Sequence, residues 1–134
     1  MRPHLALAAL LLATPAAAPL AAQDAEWGGE LYRDHCAACH GAEATGDGPL
    51  AALLTVPPPD LTRLREADGT FPAFWVMRRI DGRDPFLAHG GEMPVWGEVL
   101  EGPRILLDGP GGQPILVAEP VAALAAWIES VQAD

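Results

Sequence analysis

The chain has 134 residues with 18 acidic side chains, 8 arginines and no lysine, which gives a formal net charge of −10. This charge argues against binding to nucleic acid or to anionic lipid, because both need a basic surface. It favours partners with a basic docking face, although a high net charge also serves solubility alone.

The first 22 residues have the features of a secretory signal peptide. Arg2 supplies a positive charge, and residues 5–13 form an apolar stretch that is short for a membrane span. Small residues then lead to Ala22, after which we place the cleavage. We therefore predict a signal peptide at 1–22 and one domain at 23–134; an uncleaved anchor is the alternative.

Residues 24–40 are predicted to form the first helix. Trp27 and Leu31 begin an apolar stripe at helical spacing. Gly28 and Gly29 each weaken a helix by about 1 kcal/mol relative to alanine. They either allow another helix to cross closely at this point or only mark the start of the helix.

This helix ends in a C-x-x-C-H run formed by Cys36, Cys39 and His40. Two thiols three positions apart face the same way on one helical turn, so they can form thioethers to the two vinyl groups of one haem. His40 can then offer a ring nitrogen to the iron. A zinc site needs a second ligand cluster and a thioredoxin-like motif needs a βαβ pattern, and the sequence has neither. A disulfide would be an unusual use of the only two cysteines, and the adjoining His35 is expected at the surface.

After the motif the sequence predicts loops and short helical turns. Residues 41–48 are rich in glycine, and 49–55 can form a short helix opened by proline. The three prolines at 57–59 should run extended. Asp60 is expected to cap a further short helix that ends near Gly69.

Residues 72–80 are predicted to form the middle helix. Met77 and Ile80 lie on its apolar face, where a methionine is more often part of the core than an iron ligand. Arg78 and Arg79 either pair with haem propionates or end the helix in solvent.

Residues 81–97 are rich in glycine and proline and should form an irregular loop. Met93 can place a thioether sulfur over a haem iron, a neutral donor that raises the reduction potential. His89 is the competing ligand in the same loop. Trp96 should pack on the haem or donate its N–H to a propionate.

Two β-favouring runs at 105–107 and 115–117 flank a turn rich in glycine and proline, which predicts a small hairpin. The hairpin covers a haem edge, contributes to a docking surface, or is a neutral insertion. Residues 120–131 are predicted to form the closing helix. Its apolar residues at i, i+3, i+4 and i+7 are Val121, Leu124, Ala125 and Ile128.

The C-x-x-C-H run, the later M-P-x-W-G run that begins at Met93 and the amphipathic last helix resemble the class I, mono-haem bacterial cytochromes c. The resemblance covers nearly the whole mature chain and is specific at both ends. It implies an all-α cytochrome c fold, with the N- and C-terminal helices crossing around a covalently bound haem. Here a small β-hairpin precedes the last helix. The resemblance also implies that Gly28 meets an aromatic residue of the last helix, with Trp127 as the candidate.

The same resemblance implies how the haem is held. One haem c would be attached through Cys36 and Cys39, with His40 and Met93 as axial ligands. The carbonyl of Pro49 would accept a hydrogen bond from His40, because a ligating imidazole usually donates its other N–H to a neighbour. Covalent attachment in bacteria occurs outside the cytoplasm, so the resemblance implies a periplasmic protein.

We therefore expect a periplasmic electron carrier and not an enzyme. Its partners would be redox proteins, and we expect neither nucleic acid nor stable membrane insertion after signal cleavage. The protein would be a monomer or a subunit of a redox complex. A dedicated haem subunit with 98–119 as a fixed interface is one alternative. A haem sensor or enzyme with a labile sixth ligand is another, because a glycine-rich loop at 82–97 can release Met93.

Overall fold

The computed structural model describes residues 20–84 and 93–133. Within these residues the chain forms four α-helices and one β-hairpin, and the middle helix, the hairpin and the closing helix lie where the sequence predicted. The elements are α1 (Leu20–His35), α2 (Ala37–His40), α3 (Ala73–Asp81), β1 (Arg104–Asp108), β2 (Pro114–Ala118) and α4 (Glu119–Ser130). Most of the predicted signal peptide and the competing ligand His89 lie outside the described residues.

Helix α1 approaches α4 closely at Gly28. A Cβ atom placed on Gly28 would lie 2.0 Å from the carbonyl oxygen of Ala123 and 2.9 Å from the Cβ atom of Trp127. One turn further along α1, the fully buried Tyr32 stacks on Trp127 with the ring centroids 4.1 Å apart. The contact expected between Gly28 and Trp127 is therefore confirmed, and it requires a residue without a side chain.

Helix α4 supplies much of the core. Pro120 lies in its first turn, where a proline costs no intrahelical hydrogen bond. The predicted apolar stripe is buried throughout, at Val121, Leu124, Ala125 and Ile128. It packs with buried residues of α1 and α3, among them Tyr32, Met77 and Ile80.

The hairpin has the predicted place and an antiparallel register in which Leu106 pairs with Leu116. Side chains alternate along both strands, so that Leu107 and Val117 are half-buried on the inner face and pack against the core. Leu106 and Leu116 lie on the outer face and are exposed.

The short turns between α2 and α3 are shorter than predicted. The helix expected at 49–55 is a single 3₁₀ turn at Ala51–Leu53. Asp60 does cap the next turn, because its carboxylate accepts from the Thr62 N–H at 2.9 Å. That turn ends at Arg63, however, and not near Gly69. The Glu66 and Thr70 backbones close a separate turn in which Gly69 has a φ of 83°, a conformation that favours glycine over continued helix.

No helix in the described ranges is both long enough and apolar enough to span a membrane.

Candidate haem-binding site

The C-x-x-C-H run spans the junction of α1 and α2. The predicted single helix over 24–40 is wrong in this detail, since it breaks at Cys36, where φ is −117°. Hydrogen bonds still hold the junction, with the N–H of Cys36 donating to Tyr32 and the N–H of His40 donating to Cys36, both at 2.9 Å. The Tyr32 hydroxyl donates to the Gly41 carbonyl at 2.6 Å and ties the end of α2 to α1.

Both thiols are free and half-buried. Burial raises the pKa of Cys36 to about 11, and the neighbouring Cys39 adds to the rise. A redox-active C-x-x-C motif needs the opposite shift, because its attacking cysteine must be a thiolate near neutral pH. The raised pKa of Cys36 therefore disfavours a thioredoxin-like role for the motif.

The imidazole of His40 is half-buried, and its Nδ1 atom is buried with no hydrogen-bond partner among the described residues. Burial lowers the pKa of His40, and the Pro59 carbonyl opposes this with a smaller effect. The ring is therefore held neutral, which is the form that binds a metal. A buried polar atom without a partner costs free energy, so it calls for an explanation such as a missing ligand. The residues present thus fit a haem at this place.

A backbone loop covers the carbonyl end of α2. The N–H groups of Gly46, Gly48 and Leu50 donate to the carbonyls of His40, Cys39 and Ala38 at 2.8, 3.2 and 2.9 Å. These bonds satisfy carbonyl groups that a four-residue helix leaves open.

Gly48 is essential to this arrangement because a Cβ atom there would lie 2.5 Å from the Ala38 carbonyl oxygen and 2.6 Å from that of Cys39. Sequence reasoning did not assign Gly48 a role. The only available signal was its position in a glycine-rich stretch directly after the motif.

The structure brings the Pro59 carbonyl to His40. Pro49 follows Gly48 and is exposed. The role expected of the Pro49 carbonyl stays a prediction.

Met93 is half-buried and packs against the core, and its role as an axial ligand stays a prediction. Three residues on, Trp96 is also half-buried, and its ring lies 5.3 Å from that of His35 at a 55° tilt. His35 is half-buried, so it is less exposed than the surface position expected from the sequence. The contact of Trp96 with the haem stays a prediction.

The two ends of the segment that carries Met93 are held together by a contact that we call the loop clasp, formed by residues 81–83 and 95–97. A Cβ atom on Gly97 would lie 2.7 Å from the Asp81 carbonyl oxygen and 2.6 Å from Nε of Arg83. One on Gly82 would lie 3.1 Å from Cα of Val95. The clasp fixes where the segment starts and ends.

The clasp should make stability depend on pH through Asp81. The Arg83 guanidinium donates to the Asp81 carboxylate at 2.8 Å and lowers the pKa of that carboxyl below its ordinary value of 3.8. The interaction is complete above pH 3.8 and is lost as the pH falls through the lower folded pKa. Asp81→Asn should therefore flatten the decline of the unfolding free energy below pH 4, measured by urea unfolding. Asp34→Asn, at an exposed position of α1, should leave that decline unchanged.

Two candidate residues of the middle helix, Met77 and Arg78, have contacts with other parts of the protein. Met77 is buried in the core, as predicted. Arg78 forms an ion pair with Asp84 and lies over the ring of Trp75 at 5.2 Å. A groove of about 360 Å³ between α3 and β2 is lined by these and neighbouring residues, and neither Cys36 nor His40 is among them.

Comparison with known proteins agrees with the site. A family model described as Cytochrome c matches residues 25–82, which include the C-x-x-C-H run. No match was found among curated proteins or among solved structures. This match is consistent with a class I c-type cytochrome. The matched family points to haem-based electron transfer rather than catalysis, and Cys36 and Cys39 have the spacing of the C-x-x-C-H motif. The match ends before Met93 and the hairpin.

Proposed function

We propose that the protein is a periplasmic mono-haem cytochrome c that carries single electrons between redox proteins. The haem would be attached through Cys36 and Cys39, with His40 and Met93 as axial ligands. Bound haem supplies a one-electron Fe(III)/Fe(II) couple. The signal peptide at 1–22 and partners with a basic docking face belong to the same proposal and rest on the sequence and on the acidic charge.

The observation that carries this proposal is the state of His40. Its imidazole is kept neutral by burial and has a buried nitrogen without a partner among the described residues. The ring closely follows two free thiols in the sequence. Thiols suit thioether bonds, and a neutral imidazole suits iron. Within the described ranges no group of three or more His, Cys, Asp or Glu side chains could hold a metal ion by itself. A porphyrin, which brings its own four nitrogen ligands, explains why two cysteines and one histidine suffice.

The chain's own residues would then hold the ligands in place and keep water away. The loop formed by Gly46, Gly48 and Leu50 fixes α2 and with it His40. The Pro59 carbonyl, already the backbone acceptor near the ring, is a further candidate beside Pro49 for the group that orients the imidazole. The loop clasp holds the segment of Met93. An iron with both ligands retained needs little rearrangement on electron transfer and offers no open site to a substrate.

Met93→Ala tests the axial ligand in the holoprotein purified from a bacterial periplasm. The wild type should be low-spin and should show the weak red absorption band of Fe(III)–thioether bonding. The variant should lose this band and become high-spin, because alanine has no donor atom. Met77→Leu is the matched control, since it replaces a buried core methionine with a side chain of similar volume. Its spectrum should not change.

An unchanged spectrum in Met93→Ala would contradict methionine ligation and point to His89. Isolation of bare polypeptide without covalent haem would contradict the whole proposal.

A further inference from the structure

In the part of the chain that the structure describes, one edge of β1 has no strand partner. The sheet formed by the described residues has only two strands, so β1 pairs with β2 on one side alone. Among these residues no backbone hydrogen bond outside the hairpin involves Arg104–Asp108. An open edge is a template for another strand, and natural proteins often protect it with lysine or proline. Strand β1 contains neither.

The sequence of β1 is complementary to itself in charge. It reads Arg104, Ile, Leu106, Leu, Asp108, with a positive and a negative residue at equal distances from the central leucine. If two copies of β1 pair in antiparallel fashion about Leu106, each Arg104 lies opposite Asp108 of the other copy. The alternating side-chain direction puts all three residues on the same face. Opposite charges directly across strands stabilise such a pair.

The side chains that this pairing needs are available. Arg104 and Asp108 are exposed, and neither forms an ion pair within 20–84 and 93–133. Arg104 only adds a minor effect to the lowered pKa of Asp81, whose main cause is Arg83. Leu106 and Leu116 form a cross-strand pair on the outer face and are 67% and 62% exposed. A neighbouring strand would cover one flank of Leu106.

We propose that two copies of this protein associate through the free edges of β1. The product is a four-stranded antiparallel sheet in the order β2, β1, β1, β2, related by a two-fold axis at Leu106. Such an interface is closed, since each copy offers the same patch to the other. A dimer of this kind differs from the monomer or subunit of a redox complex expected from the sequence. The proposal does not depend on how the haem iron is ligated. It also assigns a use to the hairpin, which lies outside the part matched by the family.

Charge reversal tests the pairing in the holoprotein at physiological ionic strength, with sedimentation equilibrium as the measurement. The wild type should form dimers as its concentration rises. Arg104→Asp and Asp108→Arg should each weaken dimerisation at least about tenfold, because each turns two attractive pairs into repulsive ones. The double variant restores opposite charges across the interface and should recover the wild-type affinity to within about threefold. Leu53→Ser is the control, because Leu53 is 79% exposed and remote from the hairpin in sequence.

Hydrogen exchange provides a second readout that does not depend on substitutions. Backbone amides of 104–108 should exchange more slowly at high protein concentration, while the slowing at 114–118 should be smaller. A protein that stays monomeric throughout would overturn the proposal. A double variant that dimerises no better than the single variants would also overturn it, because the two charges would then not pair across the interface. A dimer that all three charge variants leave intact would show that the contact between the two copies lies elsewhere.

Discussion

Gly28→Ala should lower the free energy of unfolding of the holoprotein by about 2 kcal/mol. The added methyl group would lie 2.0 Å from the Ala123 carbonyl oxygen, which is backbone and cannot rotate away. Separating α1 from α4 to admit it costs about 3 kcal/mol, at the upper end of the usual range for overpacking. Alanine returns about 1 kcal/mol as the better helix former. Urea unfolding followed by far-ultraviolet circular dichroism measures the difference.

Two further variants on α1 provide reference values for this change in the free energy of unfolding. Gly29→Ala should cost less, because its methyl group meets the ring of Trp127 at 2.8 Å and a side chain can move more easily than backbone. Glu30→Ala, at an exposed position, should change stability by no more than about 0.5 kcal/mol. A Gly28→Ala variant as stable as the wild type would show that the two helices do not approach as closely as described.

The elements that could be predicted from the sequence are those specified by local chemistry. The stripe from Val121 to Ile128 has the period of a helix and is buried on one face. The hairpin follows from two β-favouring runs with a glycine and proline turn between them. Asp60 caps a turn because the hydrogen bond that it makes is local.

What the sequence could not specify depends on contacts between distant parts of the chain. Gly48 lies against Ala38 and Cys39 because of the path of the whole loop. The Pro59 carbonyl reaches His40 from further along the chain, a contact that spacing alone could not predict. His35 is covered by Trp96, which lies far along the chain. The composition of each segment carries no information about these pairings.

In the site itself, the sequence was most informative where one short run holds the whole chemistry. The two thiols and His40 are adjacent in sequence, so α2 alone brings them together. Met93 is different, since its place depends on how a long segment returns to α3. That return is made by the loop clasp, in which Gly97 packs on Asp81 and Arg83. No residue type predicts such a contact beyond the presence of a glycine.

Gly97→Ala should weaken the hold of this segment on Met93, given that Met93 binds the iron as proposed. The methyl group would lie within 2.8 Å of three atoms of Asp81 and Arg83. Relieving such overlap costs about 1–3 kcal/mol. This cost raises the free energy of the form in which the clasp is made and Met93 is bound, and not that of the form in which Met93 is released. Added imidazole competes with the thioether for the iron, so its apparent affinity should rise by about tenfold or more. Titration of the red absorption band with imidazole measures this.

Gly102→Ala is the matched control for this variant. Its methyl group meets only the ring of Pro120, at 3.0 Å, so imidazole affinity should stay at the wild-type value. Met93→Ala sets the upper limit, because there imidazole has no competitor. The far-ultraviolet spectrum of Gly97→Ala should match that of the wild type, since the helices do not depend on the clasp. If Gly97→Ala bound imidazole no better than Gly102→Ala, the clasp would not be what holds Met93 on the iron.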